Sequence, residues 1–473
     1  MDKFQISVKR AATVGFILAL FGGCAVGPNF VRPAPPDTDR YTRELRAEST
    51  GSNMLIAEWW KLFRSVQLDA IVNKAIADNP TLQASEASLR QSQDSMRAGY
   101  GVFFPQIQAG AATSRQRASS VQQGSPSGPR IFNLITLSST VSYAIDVFGG
   151  ARRSVESLRA QADYQRYENV AAYLILTSNV VNTSIARAAY AAEIHQTKKL
   201  IKLEKEQLRL TRAQVQAGTT PYANVLNIES LLAANRSLLA PLEQNLSQAE
   251  HLLATLEGEF PSKADLPDIE LERLFLPLDL PVSLPSDLVN QRPDILAAEA
   301  QMHVASAKIG VATALMFPSF SLNGTFGTSG TNFGNLTESS GKFWSIGPVA
   351  TIPLFQGTTL WFGRKAAIDA YQQSRANYRQ TVLVAFEQVA DSLKALEHDA
   401  EAFRAHVQAR QAAKEELKLL QANFRAGLVD YLAVLTAEVQ YHESTITYLQ
   451  AIAQRYQDTV ALYVALGGGW WHV

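Results

Sequence analysis

Short stretches of this chain alternate large apolar residues with small polar ones, and long helix-forming runs separate those stretches. In Met316–Phe326, "MFPSFSLNGTF", Phe320, Leu322 and Phe326 alternate with serine, asparagine and threonine after a proline. A period of two is typical of a β-strand that has one apolar and one polar face. Such a strand suits the core of a soluble sandwich or the wall of a membrane barrel, and the rest of the chain must decide between them.

The chain contains two copies of one unit. A stretch that begins at Asn79 aligns without a gap with a stretch that begins at Arg292, and later blocks match in the same order. Matching blocks in one order indicate an internal repeat. The shared positions pair Pro80 with Pro293, Phe104 with Phe317, Pro105 with Pro318, Phe148 with Phe355, Gly218 with Gly427 and Tyr222 with Tyr431. The pattern in each copy predicts a helix, two strands, a long helix and a second helix that runs back along the long one.

The first copy covers residues 66–258. Alternating segments predict its strands at about 106–113 and 137–148. No glycine or proline interrupts residues 151–217, which predicts one helix of 67 residues. At about 1.5 Å per residue this helix would be about 100 Å long, so we expect a rod that packs against other rods.

The second copy covers residues 293–473. We expect its strands at about 319–328 and 343–355, and its long helix at about 364–426. Both long helices precede a glycine, which suits the left-handed cap of a helix end. Residues 259–292, between the copies, are rich in proline, which excludes one long helix and predicts a linker that wraps the rods at mid-height.

The N-terminus has the features of a secretory signal. Residues 1–23 combine a basic start with an apolar run that is too short to cross a bilayer as a helix. The run ends at Cys24 in "FGGC", which resembles a bacterial lipobox, so we predict that Cys24 is lipidated. Ala25 at the next position favours the outer membrane. A retained membrane anchor and an ordinary signal peptide with an incidental cysteine are the alternatives.

The segment after the cysteine contains several prolines, in "AVGPNFVRPAPP". Proline-rich chains are extended and semi-rigid. We therefore interpret residues 24–65 as a lipidated, extended tether between the membrane and the folded body.

Charge and chemistry exclude several classes of function. The chain has 43 Lys plus Arg and 43 Asp plus Glu, so its formal net charge is zero and nothing draws it to nucleic acid. Its seven histidines lack the spacing of metal ligands, and phosphate loops and nucleophile motifs are missing from the sequence. With one cysteine there is no internal disulfide. We predict no enzyme, no metal site and no cofactor other than the covalent lipid on Cys24.

The strand pairs have the length of membrane strands. A tilted strand of about 10 residues crosses the hydrocarbon, but an open sheet edge would leave backbone N–H and C=O groups unpaired there. Four strands cannot close around an open lumen, since a barrel of about 8 strands is already filled by side chains. We expect at least three chains to share one barrel. The alternative is a small soluble β-subdomain on a coiled coil.

The motifs "CAVGPNFVRP", "WWKLF", "DVFGGARRSVE", "LVNQRPDI", "MFPSFSLNG" and "AGLVDYLAVLTAE" occur in this order along the chain. Together they resemble the TolC-like outer-membrane efflux protein family. The resemblance implies a fold that is mainly α with membrane β, built as a homotrimer. Each chain would give four strands to a trimeric 12-stranded barrel over an α-helical barrel.

The resemblance also implies a function and partners. The protein would be the outer-membrane channel of a tripartite efflux system, lipid-anchored and extending into the periplasm. It would receive small molecules from a periplasmic adaptor protein and an inner-membrane RND-type pump. The alternatives are the exit duct of a type I secretion system and a non-transporting periplasmic coiled-coil scaffold lipoprotein.

The family further implies roles for residues at the helical turns. The tips that contact the adaptor would contain Gly218, Thr219, Gly427 and Leu428, although both glycines also suit simple helix caps. A periplasmic gate would contain Leu432, Thr436, Asp430 and Glu438. Members of the family often have an Asp and an Arg that lock the gate by charge, at the positions of Thr436 and Val439 here. A carboxylate ring of Asp430 or Glu438 is an alternative to that lock, and ordinary solvated acids are the simpler one.

The signal predicts a specific covalent change. Cys24→Ser should abolish the incorporation of labelled lipid, because serine has no thiol to acylate, and should leave the fold unchanged. Metabolic lipid labelling and circular dichroism measure the two effects. Lipid labelling that persists in Cys24→Ser would contradict the predicted site.

Overall fold

A computed structural model describes residues 25–38, 40–42, 58–118, 130–277 and 285–470 of the chain. The first repeat contains α1 (Val66–Asp78), α2 (Pro80–Gly99), β1 (Gln106–Ala118), β2 (Arg130–Ile145), α3 (Gly150–Gln216) and α4 (Ala223–Leu256). The linker contains α5 (Pro285–Gln291). The second repeat contains α6 (Pro293–Ala314), β3 (Ser319–Gly330), β4 (Lys342–Thr351), α7 (Thr359–Arg425) and α8 (Tyr431–Ala465). The predicted signal, residues 1–23, and Cys24 lie outside the described residues.

The predicted fold class, mainly α with a small antiparallel sheet in a duplicated unit, is confirmed. Both long helices are 67 residues long. The second begins at Thr359, earlier than the expected 364, because Gly363 is accepted inside the helix. A glycine costs about 1 kcal/mol in a helix interior, which a long and otherwise strong helix tolerates.

The strands form one antiparallel sheet in the order β1-β2-β3-β4. Gln106 pairs with Ser142, Ser142 with Asn323, and Asn323 with Gly347. In the described part of the chain, β1 and β4 are therefore the edges of an open sheet. An edge strand presents a row of backbone groups that another strand can pair with.

The strand bounds differ from the expected ones for local reasons. β1 continues past residue 113 to Ala118, and β2 begins at Arg130 rather than at 137, because these ends of the two strands still pair through the backbone, as Arg117 does with Ile131. β2 ends at Ile145 rather than at 148, because the Asp146 carboxylate accepts hydrogen bonds from the N–H groups of Ala151 (3.0 Å) and Arg152 (2.9 Å) at the start of α3. β4 ends at Thr351 rather than at 355, because the partner of Thr351 is Ser319, the first residue of β3.

The sheet has two faces of opposite character. Paired residues in neighbouring strands point to the same side, so the register assigns every strand residue to a face. The apolar face contains Ile107, Val141, Tyr143, Leu322, Phe326, Trp344 and Ile346. The polar face contains Gln106, Gln108, Thr140, Ser142, Asn323, Thr325 and Ser345. The apolar side chains are largely exposed, at 72% for Trp344 and 70% for Ile107, so this face is not the core of a single chain.

The chain divides into two compact units. The first unit holds the sheet, and its described residues are 25–33, 89–118, 130–165 and 298–378. The second unit is helical, and its described residues are 34–38, 40–42, 58–88, 166–277, 285–297 and 379–470. Each unit contains residues from both repeats, since α3 and α7 contribute to both.

The helical unit has an aromatic core whose residues we expected to belong to the extended tether. Residues 59–63 form a 3-10 turn in which Trp59, Trp60 and Phe63 are buried. Trp59 stacks on Tyr463 with ring centroids 5.9 Å apart, and the Trp60 indole N–H donates to the Asp69 carboxylate at 2.9 Å. The prediction that the extended tether continues through residue 65 is therefore wrong at this turn. Burial of three large aromatic side chains lowers the free energy of the folded state, which favours packing over an extended, solvated chain.

The linker packs on the helices of the same unit. The Phe275 N–H donates to the Phe63 carbonyl at 3.0 Å, and the Arg187 guanidinium donates to the Pro267 carbonyl at 2.7 Å. At the linker's end, buried Arg292 donates to the Ala465 carbonyl at 3.0 Å, which ties the start of the second repeat to the end of α8. Residues 278–284 of the predicted linker lie outside the described residues.

The aromatic core predicts a large loss of stability on truncation. Trp59→Ala should lower the free energy of unfolding by about 3–5 kcal/mol, because it removes a fully buried indole and leaves a cavity. Denaturant unfolding of the detergent-solubilised protein measures the change. Val66→Ala is the control, since Val66 is 82% exposed and its truncation should matter by less than about 0.5 kcal/mol. Equal effects of the two substitutions would contradict this core.

Candidate functional site

The predicted tip residues lie at two turns in the helical unit, one after α3 and one after α7. Gly218 and Gly427 have φ angles of 73° and 72°, in the left-handed region that favours glycine. At the first turn, the Gly218 N–H donates to the Val215 carbonyl and the Thr219 N–H to the Gln214 carbonyl, both at 3.0 Å. This is the Schellman arrangement of a helix C-terminus.

The second turn repeats that arrangement in the other copy. The Gly427 N–H donates to the Phe424 carbonyl at 3.0 Å and the Leu428 N–H to the Asn423 carbonyl at 2.9 Å. A Cβ added at either turn glycine would meet nothing within 4 Å, so only the backbone angle requires glycine. Leu428 is 73% exposed. Both turns therefore have a fixed backbone conformation and are exposed.

The predicted gate residues lie at the start of α8, directly after the second turn. Asp430 is the N-cap of this helix, and its carboxylate accepts the Ala433 N–H at 2.9 Å. The Thr436 hydroxyl donates to the Leu432 carbonyl at 3.0 Å and accepts the Gln207 side-chain N–H of α3 at 3.2 Å. Leu432 and Glu438 are half-buried. The structure thus gives Asp430 a capping role and makes Thr436 a link between two helices.

A seam of polar pairs continues from the gate residues along α3 and α8. The pairs of this α3–α8 seam are Gln207 with Thr436, Gln196 with His442 at 2.8 Å, and Glu193 with Gln450 at 2.9 Å. Burial lowers the pKa of His442 and raises the pKa of Glu193. Both shifts favour the uncharged side chain, so the seam is polar but carries little charge.

Glu204 lies on the same helix as the seam and is fully buried. One carboxyl oxygen accepts the Asn235 amide at 2.5 Å, and the other has no hydrogen-bond partner. Burial raises the pKa of Glu204. Buried carboxyls that are only half satisfied are destabilising when ionised, which favours the protonated form.

An acid pair joins α7 and α8. Burial, together with the neighbouring Asp458 carboxyl, raises the pKa of Asp399 to about 7. The Gln454 amide donates to Asp458 at 2.8 Å, while Arg455 and His398 partly offset the shift. Two carboxyls in this arrangement hold one proton between them near neutral pH. The sequence gives no sign of this pair, because its members are on different helices and match no motif.

A basic groove lies between α3 and α4, near the first turn. Its cavity has a volume of about 730 Å³. Four cations and one acid line it, namely Lys205, Arg209, Arg212, Arg236 and Glu229. Arg212 pairs with Glu229, and Arg209 pairs with Glu206 at 2.6 Å. The lining therefore has an excess of positive charge that suits an acidic partner surface.

In the sheet-containing unit, residues 25–33 form a segment that we call the strap. The Val26 N–H donates to the Phe148 carbonyl at 3.0 Å, directly after β2. Arg153 is 4% exposed and donates to the Val26 carbonyl at 3.2 Å and to the Asn29 side chain at 2.7 Å. The strap is therefore fixed to the start of α3 by a buried guanidinium.

Two further contacts fix the strap to α6. Phe30 stacks on His303 with centroids 4.4 Å apart, and Arg32 pairs with Glu299 at 2.8 Å. Gly27, at a φ of 92°, lies so close to Gly310 that an added Cβ would be 2.5 Å from the Gly310 Cα. Glycine at both positions allows the strap to touch the helix backbone. The residue before the strap is Cys24, which lies outside the described residues.

Metal ligands and membrane-spanning helices were both looked for among the described residues. The described residues contain no group of three or more His, Cys, Asp and Glu side chains placed to hold a metal ion. His303 and His442 contact Glu156 and Gln196 instead. Among the residues that the structure describes, no helix has both the length and the apolar composition needed to cross a membrane.

The chain is similar to proteins of one family. The family model described as "Outer membrane efflux protein" matches residues 71–259 and 284–468. The pyoverdine export outer membrane protein OpmQ of Pseudomonas aeruginosa is 27% identical over 471 residues, which cover 98% of each chain. The probable outer membrane lipoprotein SilC of Salmonella typhimurium is 25% identical over 475 residues, which cover 99% of each chain.

A solved structure has the same fold. The outer membrane channel MtrE of Neisseria gonorrhoeae, crystallised in an open state, superposes with a TM-score of 0.81 at 26% identity. The match covers 94% of this chain and 98% of MtrE. The order of strands and long helices described above is therefore that of an outer-membrane channel protein.

The acid pair predicts a pH dependence of stability. The native pKa of Asp399 lies above its unfolded value of 3.8, so the native state holds a proton that the unfolded state loses. Stability should therefore fall as the pH rises from about 4 to about 7, and Asp399→Asn should remove that fall and be more stable than the parent at pH 8. Melting temperatures from pH 4 to pH 8 measure this.

Glu401→Gln is the matched control for the acid pair, because Glu401 is exposed on the same helix. Its pH profile should follow that of the parent. An Asp399→Asn profile that also follows the parent would show that the pair does not share a proton.

Proposed function

The chain belongs to the outer membrane efflux protein family and is an outer-membrane channel protein of an efflux system, and on that premise we propose that three copies build one export duct. Three open sheets of four strands would close into one wall of twelve. The duct would be the outer component of a tripartite system with a periplasmic adaptor and an inner-membrane RND-type pump. OpmQ is named as an export protein and MtrE as a channel, and no catalytic step is assigned to this chain.

One observation carries the proposal: the sheet is open and has an exposed apolar face and a polar face. In hydrocarbon, each unpaired backbone group at the edges β1 and β4 would cost several kcal/mol. Pairing β1 of one copy with β4 of the next satisfies both edges at once. The apolar face, with Ile107, Val141 and Ile346, then faces lipid, and the polar face, with Gln108, Thr140 and Thr325, lines the lumen.

The strap supports lipidation at Cys24. Ala25 and Val26 lie against Gly149 and Phe148, at the end of the sheet where α3 begins. An acyl group on the preceding residue would lie at the membrane surface on the helical side of the sheet. SilC, which this chain resembles along its whole length, is described as a lipoprotein.

The two turns and the basic groove are the proposed contact surface for the adaptor. Gly218, Thr219, Gly427 and Leu428 are exposed, and helix turns of defined geometry suit docking against another helical hairpin. The groove between α3 and α4 adds positive charge beside the first turn. An acidic stretch on the partner would complement that charge.

The start of α8 is the proposed gate. Leu432 is half-buried, and its carbonyl binds the Thr436 hydroxyl, which in turn is bound by Gln207 of α3. These neutral hydrogen bonds would hold the closed arrangement in place of a charge lock. Glu438 and Asp430 would leave acidic groups beside the narrowest point, with Asp430 also capping the helix. A wall of small polar groups selects weakly among small molecules, so we assign cargo choice to the pump.

The proposed duct predicts a trimer that conducts ions. The detergent-solubilised protein should have the mass of three chains by light scattering, and it should conduct weakly in planar bilayers because the gate is closed. Leu432→Gly should raise the single-channel conductance several-fold by removing the side chain that narrows the gate. Both measurements use the full chain without partners.

Leu238→Gly is the control for this experiment, since Leu238 is 57% exposed on α4 and glycine perturbs a helix there in the same way. Its conductance should equal that of the parent. A monomer by light scattering, or bilayers that stay silent with both the parent and Leu432→Gly, would count decisively against the duct.

A further inference from the structure

The charged residues of the sheet all have one sign and one location. The four strands contain no Asp or Glu, and their charged residues are Arg115, Arg117, Arg130 and Lys342. All four lie at the end of the sheet where β1 joins β2 and β3 joins β4, which we call the loop end. The opposite end, next to the long helices, has no charged strand residue. A one-sided distribution of this kind creates a local positive potential.

Three of these cations lie on the apolar face. Lys342 pairs with Thr328, which pairs with Leu137. This row is two residues along the strands from the row of Trp344 and Phe326, so Lys342 projects from the same face as they do. In β1, Arg115 and Arg117 are separated from Ile107 by even numbers of residues, so they project from the same face. We call Arg115, Arg117 and Lys342 the cationic rim. An apolar band that ends in cations is typical of a surface that meets both acyl chains and anionic headgroups.

A cavity lies on this face, and Lys342 is the rim residue that lines it. Its volume is about 570 Å³, and its lining is mostly apolar. It is lined by Ala109, Ala111, Leu137, Phe326, Leu336 and Lys342. The loop between β3 and β4 forms one wall, because the Thr328 hydroxyl donates to the Leu336 carbonyl at 2.8 Å and fixes the loop against the strand. The small side chains of Ala109 and Ala111 leave the floor of the cavity open.

We propose that the cavity and the cationic rim together bind a membrane lipid whose headgroup carries phosphate. An acyl chain would fill the apolar cavity, and a phosphate would lie against Lys342 at its margin. Arg115 and Arg117 lie on the same face of β1, four and six residues beyond Ala111, which is in the row of Lys342, and they would extend the positive potential that the headgroup meets. Guanidinium groups bind phosphate with two parallel hydrogen bonds, and ammonium groups bind it as point charges. A free phosphate ion would gain nothing from the apolar lining, so a lipid is the occupant that uses both parts of the site.

The proposal rests on the proposed function in one respect, the direction in which the loop end points. In the duct, the long helices extend into the periplasm, so the loop end lies at the outer surface of the outer membrane. Edge-to-edge closure would also place β1, with Arg115 and Arg117, beside β4 of the next copy, which begins at its lysine. Each of three such seams would then gather the cations of the rim.

The surroundings leave the rim's charge largely uncompensated. The connection between β1 and β2, "SSVQQGSPSGP", contains no charged residue. The connection between β3 and β4 contains one acid, Glu338, which accepts the Ser340 hydroxyl at 3.2 Å. One carboxylate against the rim's three cations leaves a net positive charge for an anion to meet.

The test compares two lipids that differ only in phosphate. The probes are diphosphorylated lipid A and the same lipid after enzymatic removal of its phosphates, and native mass spectrometry of the detergent-solubilised protein measures the bound fraction. The phosphorylated lipid should bind about a hundredfold more tightly, since each of the three basic residues near a membrane surface contributes about fivefold. The combined Arg115→Ala, Arg117→Ala and Lys342→Ala variant should bring the two lipids within about twofold of each other.

Three further variants keep the test decisive. Ala111→Leu fills the cavity but keeps the rim, and it should weaken both lipids by a similar factor. The combined Lys414→Ala, Lys418→Ala and Arg425→Ala variant removes three exposed cations from α7 and should bind both lipids as the parent does. Lys342→Arg should retain the preference for phosphate and thereby check that a folded rim variant can bind.

The outcomes separate this proposal from the duct itself. Equal binding of the two lipids by the parent, or an unchanged preference in the triple rim variant, would overturn the lipid site while trimer mass and conductance stayed as expected. Loss of the trimer and of conductance in the parent would instead overturn the duct, whatever the lipids do. Bilayer conductance of the rim variant should equal that of the parent, because the rim lies on the face away from the lumen.

Discussion

The pairing of backbone groups at two strand edges is the constraint on which the structure depends. Every N–H and C=O of β1 and β4 that faces away from the sheet needs a partner in hydrocarbon, and a single four-stranded sheet has none to offer. The duplicated hairpins, the apolar face and the two 67-residue helices all fit an element that is completed by its own copies. In the proposed duct, a single chain is one segment of the wall, and its exposed Ile107 and Trp344 are ordinary for a surface that meets lipid.

The helical unit contains a polar seam between two long helices that buries little charge. Glu193, Gln196 and Gln207 of α3 each bind a polar side chain of α8, and burial shifts the titrating members toward their neutral forms. Directional pairs of this kind specify the register of two antiparallel rods better than an unbroken row of leucines does. The acid pair of α7 and α8 follows the same logic with a shared proton.

Long-range periodicity made much of this fold predictable. The absence of glycine and proline over more than 60 residues defined α3 within one residue at each end, and alternation located all four strands. The errors have local causes: Gly363 is inside α7, and the backbone pairs of β1 continue where its side chains turn polar. The burial of Trp59, Trp60 and Phe63, the acid pair and the Arg153 contacts could not be predicted, because each joins residues that are remote in sequence. The two helix ends were predictable, since a glycine follows each long run and adopts the left-handed φ angle of a helix cap.

Arg153 has a consequence for how the N-terminus can be processed. Its guanidinium is buried, and apart from Glu156 its partners are groups of the strap: the Val26 and Gly27 carbonyls and the Asn29 side chain. Cleavage before Cys24 would remove none of these partners. A cut eight residues later would leave a charged group desolvated and short of acceptors in the upper part of α3. If the predicted signal is cleaved before Cys24, the fold keeps every acceptor of Arg153, whereas trimming past Asn29 would destabilise the start of α3.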